Sequence, residues 1–156
     1  MRAVGEVTSG PLDLTVEGAD EAGVDAQGLR ALALALLDAE GVQGPWALGI
    51  AFVGESQMQA LNAEHRELDE VTDVLAFPLD GRDDLPDGLE RQLGDVVVCF
   101  AEAQRQAREA GVPPLEEVRT LVVHGLLHLL GHDHEIDDGA MLARQDELRA
   151  VLPPLT

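Results

Sequence analysis

The run "LEEVRTLVVHGLLHLLG" (115–131) constrains the fold of this chain more than any other part of it. Pro114 suits the first turn of a helix, Glu116 and Glu117 suit its positive end, and Gly131 suits a left-handed C-terminal cap. After Thr120 the helix is apolar nearly all round, and a helix with no polar face has to lie inside the protein. Leu121–Leu130 is about half the length a bilayer crossing needs, so the burial is in protein and not in lipid. Two imidazoles, His124 and His128, lie along this apolar helix, where an uncompensated ring would be costly to bury.

Other segments supply the layers that cover such a helix. "LDLTVEG" (12–18) alternates apolar and polar residues and suits an edge strand, and "WALGIAFVG" (46–54) and "TDVLAFPL" (72–79) read as further strands. "LGDVVVCF" (93–100), with its unbroken valines, predicts a strand buried on both faces. Helical spacing marks 24–41, with Asp25 as N-cap and Gly41 as stop. Helices are also predicted over 55–68, over 101–111 closed by glycine, and over about 138–151, while the acidic "DGRDDLPDGLERQ" reads as a loop. A length of 156 residues, 46% hydrophobic, suits one domain spanning 1–156. The order points to an α+β fold, a small mixed β-sheet packed with helices around a buried central helix.

Thirty acidic residues stand against ten basic ones, a formal charge of −20, and all ten basic residues are arginine. Clustered positive charge drives non-specific binding to nucleic acid and anionic membranes, so composition taken alone argues against both partners. The acidic residues are scattered at moderate density, as on a solvated folded surface. One cysteine, Cys99, excludes an intrachain disulfide, and "MRAVGEVTSGPLDL" lacks a secretory apolar block; a soluble, cytoplasmic protein is the expectation. Within "VVVCF", Cys99 reads as a small buried hydrophobe, and Met141 as packing.

His124 and His128 stand four apart, so their rings share a helix face about 6 Å apart along the axis, the geometry of two ligands for one metal ion. Beyond the break at Gly131 the chain can fold back and present a third ligand from another direction. His134 fits that role better than His132, which is expected outside the ligand set, while His65 reads as solvent-facing. The spacing H-x3-H-x2-G-x2-H resembles the ligand pattern of the metzincin zinc proteases, and three neutral imidazoles with an open fourth position suit a catalytic zinc. Those proteases place their base, a glutamate, directly after the first histidine; here that residue is Gly125. Zinc peptidase therefore becomes the second reading.

"VVHGLLHLLGHDHE" closely resembles the H-G-x-L-H-L-x-G-x-D-H signature of the YbeY-type endoribonucleases. "LNAEHRELDEVTDVLAFPL" resembles that family's segment of Leu-Asn, an Arg, then Thr-Asp-Val-Leu-Ser-Phe-Pro, and "LGDVVVCFAEAQRQARE" its Leu-Gly-Asp-Ile strand and following helix. These matches fall in order over residues 60–135, with Val71 where proline is common, Ala76 where serine is common and His132 where tyrosine is common. The resemblance implies one zinc ion held by His124, His128 and His134, with Arg66 as the functional arginine. It implies a single-strand-specific endoribonuclease that matures the small-subunit ribosomal RNA at its 3′ end and serves ribosome quality control, with ribosomal RNA and the ribosome as partners. An arginine fork suits a phosphodiester, because it binds two oxygens at once and stabilises the charge of the transition state. Asp73 and Asp95 lie in matching segments, where turn formation and strand-edge capping are the expected roles; Asp133 suits a hydrogen bond to a ligand imidazole. Arg119 joins the metal and Arg66 as a local positive patch for RNA, and a zinc-stabilised, non-catalytic ribosome factor is the remaining alternative.

Overall fold

The computed structural model describes residues 12–66, 72–132 and 139–156, the side chains of His65 and Arg66 excepted. Four strands form a mixed sheet in the order β1-β2-β4-β3. The strands are β1 (Leu12–Glu17), β2 (Trp46–Val53), β3 (Val74–Pro78) and β4 (Arg91–Cys99). The pairs β1–β2 and β2–β4 run parallel, whereas β3 lies antiparallel on β4. The expected α+β architecture is present, and β1 is the edge strand its alternation predicts.

Six helices occur among the described residues: α1 (Ala19–Ala22), α2 (Ala26–Ala39), α3 (Glu55–Arg66), α4 (Phe100–Ala110), α5 (Pro114–Leu129) and α6 (Ala140–Val151). Asp25 caps α2 by accepting from the Gln27 amide, as its position predicts. The short α1 falls between two glycines in left-handed conformation and has no counterpart among the predicted elements. Strand β4 begins two residues earlier than the sequence suggests. Arg91 pairs in register with Trp46, and its guanidinium donates to the carbonyls of Gly81 and Asp83, tying the acidic loop to the sheet.

Alternation along β4 sorts its side chains between two clusters. Val96 and Val98 enter the main core with α2 and α5; Val97 and Cys99 face the other way, onto Met58 of α3 and Leu75. The strand is thus buried on both faces along Val96–Cys99, as its run of valines predicts. Helix α5 packs on β3 and β4 and is flanked by α2, α4 and α6. Leu126, Leu127 and Leu129 have at most 1% of their surface exposed. Each such leucine contributes roughly 1.5–3 kcal/mol of transfer free energy. No helix among the described residues is long and apolar enough to cross a membrane.

Candidate metal centre

Burial along α5 leaves one line open. From Thr120 to its end at Leu129, every residue is buried except Thr120, His124 and His128, which follow one another at intervals of four. The two imidazoles are therefore the half-exposed edge of an otherwise enclosed helix, and solvent reaches them. Their ring centroids lie 4.8 Å apart with planes at 73°. Two nitrogen ligands presented side by side from consecutive turns suit one small cation. The predicted third ligand, His134, and its neighbour Asp133 lie outside the described residues, and among the described residues no group of three or more His, Cys, Asp or Glu converges as a metal site.

Gln145, on α6, is a member of this site that the sequence reading missed. Its side-chain oxygen lies 2.7 Å from Nδ1 of His124. Met141, Gln145 and Leu148 share the buried face of α6. A polar residue on that apolar stripe was the available signal, because a buried amide needs a partner.

Two glycines shape the ends of this geometry. A Cβ on Gly125 would stand 2.6 Å from Cγ1 of Val96 and 3.4 Å from Cγ2 of Val74, so α5 sits on the sheet at a distance that only glycine permits. The position where the zinc proteases carry their glutamate base points into the core here, and no side chain fits. Gly131, at φ 95°, ends the helix as predicted: its amide donates to the His128 carbonyl and the His132 amide to that of Leu127, the paired bonds of a Schellman cap. His132 then turns toward α2, with Nε2 3.1 Å from Oε1 of Glu40. That carboxylate, whose side chain is only 5% exposed, also pairs with Arg144 and Arg82. Burial pushes the Glu40 carboxyl up, but the hydrogen bonds and charges of Arg144 and His132 outweigh it and hold the group below the ordinary glutamate range.

The remaining candidates separate. Asp73 stands just before β3: its carbonyl accepts from the Cys99 amide, continuing the ladder with β4, and its carboxylate accepts from Nε2 of Gln106, so neither bond is local to a turn. Asp95 is not at a strand edge but inside β4, opposite Gly49, where a Cβ would lie 2.1 Å from Oδ1 of Asp95. It occupies the sheet face opposite Val96, so the sheet stands between it and the histidines. The groove there also carries Asp13 and Glu90, the wrong charge for a phosphate. Glu117, two turns before His124 on α5, is pushed up by burial and then by the charge of Asp73. Cys99 and Met141 are fully buried, as expected.

Arg119 requires a correction. It is 5% exposed and donates to the carbonyls of Arg149, Leu152 and Pro153 and to Glu116. Its guanidinium satisfies the open carbonyls at the end of α6 and forms no part of a surface patch. Arg30, Arg82, Arg91, Arg105, Arg144 and Arg149 also donate to carbonyls or carboxylates of the chain itself, although Arg82 and Arg105 remain about half exposed. The Arg66 backbone closes α3; its side chain and that of His65 lie outside the description.

A family model described as endoribonuclease YbeY matches residues 17–152. A protein of that name from Acidothermus cellulolyticus is 44% identical over 146 residues, spanning 86% of this chain and 89% of its own. Another from Macrococcus caseolyticus is 41% identical over 143 residues, spanning 86% and 93%. Among solved structures, the solution structure of TM1509 from Thermotoga maritima matches with a TM-score of 0.54 at 25% identity, over 87% of this chain and 86% of that one.

Proposed function

Because the chain belongs to the YbeY family of endoribonucleases, we propose that it cleaves single-stranded segments of ribosomal RNA precursors by metal-assisted phosphodiester hydrolysis. One zinc ion is assigned to His124, His128 and His134, and the phosphate to Arg66. The observation that carries the reading is the half-exposed histidine pair at 4.8 Å on an otherwise buried helix. Neutral imidazoles in that arrangement are the donor set zinc prefers. When bound, the ion supplies Lewis-acid chemistry for the hydrolysis. The chain's own share is to hold the ligand rings in place, to keep one side open to a nucleotide, and to set the Arg66 fork on two phosphate oxygens.

Charge decides how the substrate arrives. With −20 overall and seven arginines engaged within the chain, long-range attraction of RNA is weak, and attraction comes from the metal and Arg66 at close range. A ribosomal particle that presents its own RNA removes that difficulty, which favours the ribosome as partner; maturation of the small-subunit RNA at its 3′ end, ribosome quality control and a cytoplasmic location are proposed with it from the family resemblance. Zinc peptidase chemistry with the usual base is disfavoured, since Gly125 is packed against Val96.

The test is metal analysis of the purified protein beside cleavage assays on free RNA and on ribosomal particles, for wild type, Arg66→Ala and His128→Ala. One zinc per chain in wild type, a folded but inactive Arg66→Ala and a metal-free His128→Ala are expected, with particles cleaved faster than free RNA. Cleavage that survives both substitutions overturns the reading. An unfolded His128→Ala beside an Arg66→Ala that supports ribosome maturation favours the non-catalytic factor instead.

A further inference from the structure

We propose that Gln145 is a positioning residue for the metal centre, fixing the tautomer and ring orientation of His124 so that Nε2 is the nitrogen offered to the ion. The inference rests on the metal reading above and deepens it. An amide oxygen can only accept, so the 2.7 Å contact with Oε1 requires the His124 proton to sit on Nδ1. A neutral ring protonated there carries its lone pair on Nε2. The opposite tautomer would place a proton on that nitrogen and exclude it as a ligand.

What makes the contact a constraint is where Gln145 comes from. It is 9% exposed, so water competes poorly for its oxygen, and it stands on a different helix from the ring it holds. Met141, 0% exposed, and Leu148, 1% exposed, pin the same face of α6 to the core. Arg119 fastens the end of α6 back onto α5 through the carbonyls of Arg149 and Leu152. The ring of His124 is thereby referenced to the packing of two helices and does not depend on its own rotamer preference alone. Partners of this kind are worth about 10–100-fold in metal affinity.

The experiment uses the full chain in two states. In metal-free protein, nitrogen-15 NMR of the histidine side chains reads the tautomer directly: the Nδ1-protonated form of His124 is expected in wild type and in Gln145→Glu, and its loss in Gln145→Leu. In Co2+ titrations against a chelator, Gln145→Leu is expected to bind about 10–100-fold more weakly with a shifted visible spectrum, while Gln145→Glu restores affinity because a carboxylate accepts the same proton. A merely structural role would lower the melting temperature of the metal-free protein without moving the tautomer or spectrum. Wild-type His124 protonated on Nε2, or equal Co2+ affinity in Gln145→Leu, overturns the inference and leaves the metal reading standing. Failure of wild type to bind Co2+ at all overturns both. Should Gln145→Leu fail to fold, the wild-type tautomer and the Gln145→Glu titration still decide.

Discussion

His124 and His132 are eight positions apart in one stretch of sequence and inhabit opposite environments. His124 stands on the open line of α5, its Nδ1 held by one neutral amide oxygen. His132, just past the helix cap, faces a carboxylate that two guanidiniums share. His124 meets its partner through Nδ1, the ring nitrogen the metal reading does not use, whereas His132 commits Nε2 itself to the Glu40 carboxylate. The difference teaches that residue type sets a menu and the partner selects from it. One region is arranged for binding, the other ties α2, α6 and the cap of α5 together.

Breaking that division should give effects of graded size. The largest belongs to the ligand side: His128→Ala should lose zinc and lower RNA cleavage by more than about 100-fold, since even outer partners of metal ligands cost 10–100-fold. Its metal-free melting temperature should stay near that of metal-free wild type, measured by circular dichroism. On the structural side, Glu40→Gln removes the charge shared by Arg82, Arg144 and His132 and should destabilise by about 1–3 kcal/mol in urea unfolding. Zinc affinity of the folded variant should change far less. A Glu40→Gln protein that keeps full stability but loses its metal would reverse the assignment of the two regions.

Acidity sharpens the comparison. Because the folded Glu40 carboxyl is held below its unfolded value of about 4.3, its contribution is fully present above that value and is lost as pH falls through the folded pKa. The stability gap between wild type and Glu40→Gln should therefore be constant near neutrality and shrink only in acid, as thermal melts from neutral to low pH would read. Gly125→Ala should cost about 1–3 kcal/mol through overpacking against Val96, partly offset by the helix preference of alanine. The smallest effect is expected at Glu117, whose carboxyl is raised by burial and by Asp73. Ionising a raised carboxyl opposes folding, so the penalty enters as pH rises through its folded pKa. Glu117→Gln should gain about 0.5 kcal/mol or less at neutral pH, and the gain should vanish in acid.

Local signals carried much of the fold. Asp25 before α2, Gly111 after α4 and Gly131 after α5 all act as the caps their positions announce, because capping depends on neighbours within a turn. The valines of β4 were equally legible, since burial on both faces suppresses alternation. Helix α1, at four residues, is too short to show a period. Arg119 misled because charge on a helix reads as surface, whereas its guanidinium reaches carbonyls 30 or more residues away.

The chain's letters by themselves determined that α5 would be buried, where it would stop, and that two imidazoles would share its face, because each follows from helical period, apolar content and one glycine. Only the tertiary structure decided which line of α5 stays open, that Gln145 holds His124 from 21 residues away, and that Glu40 takes His132 from 92 residues away. Those pairings depend on how helices cross over a sheet, and no periodicity within a segment encodes the distance between segments.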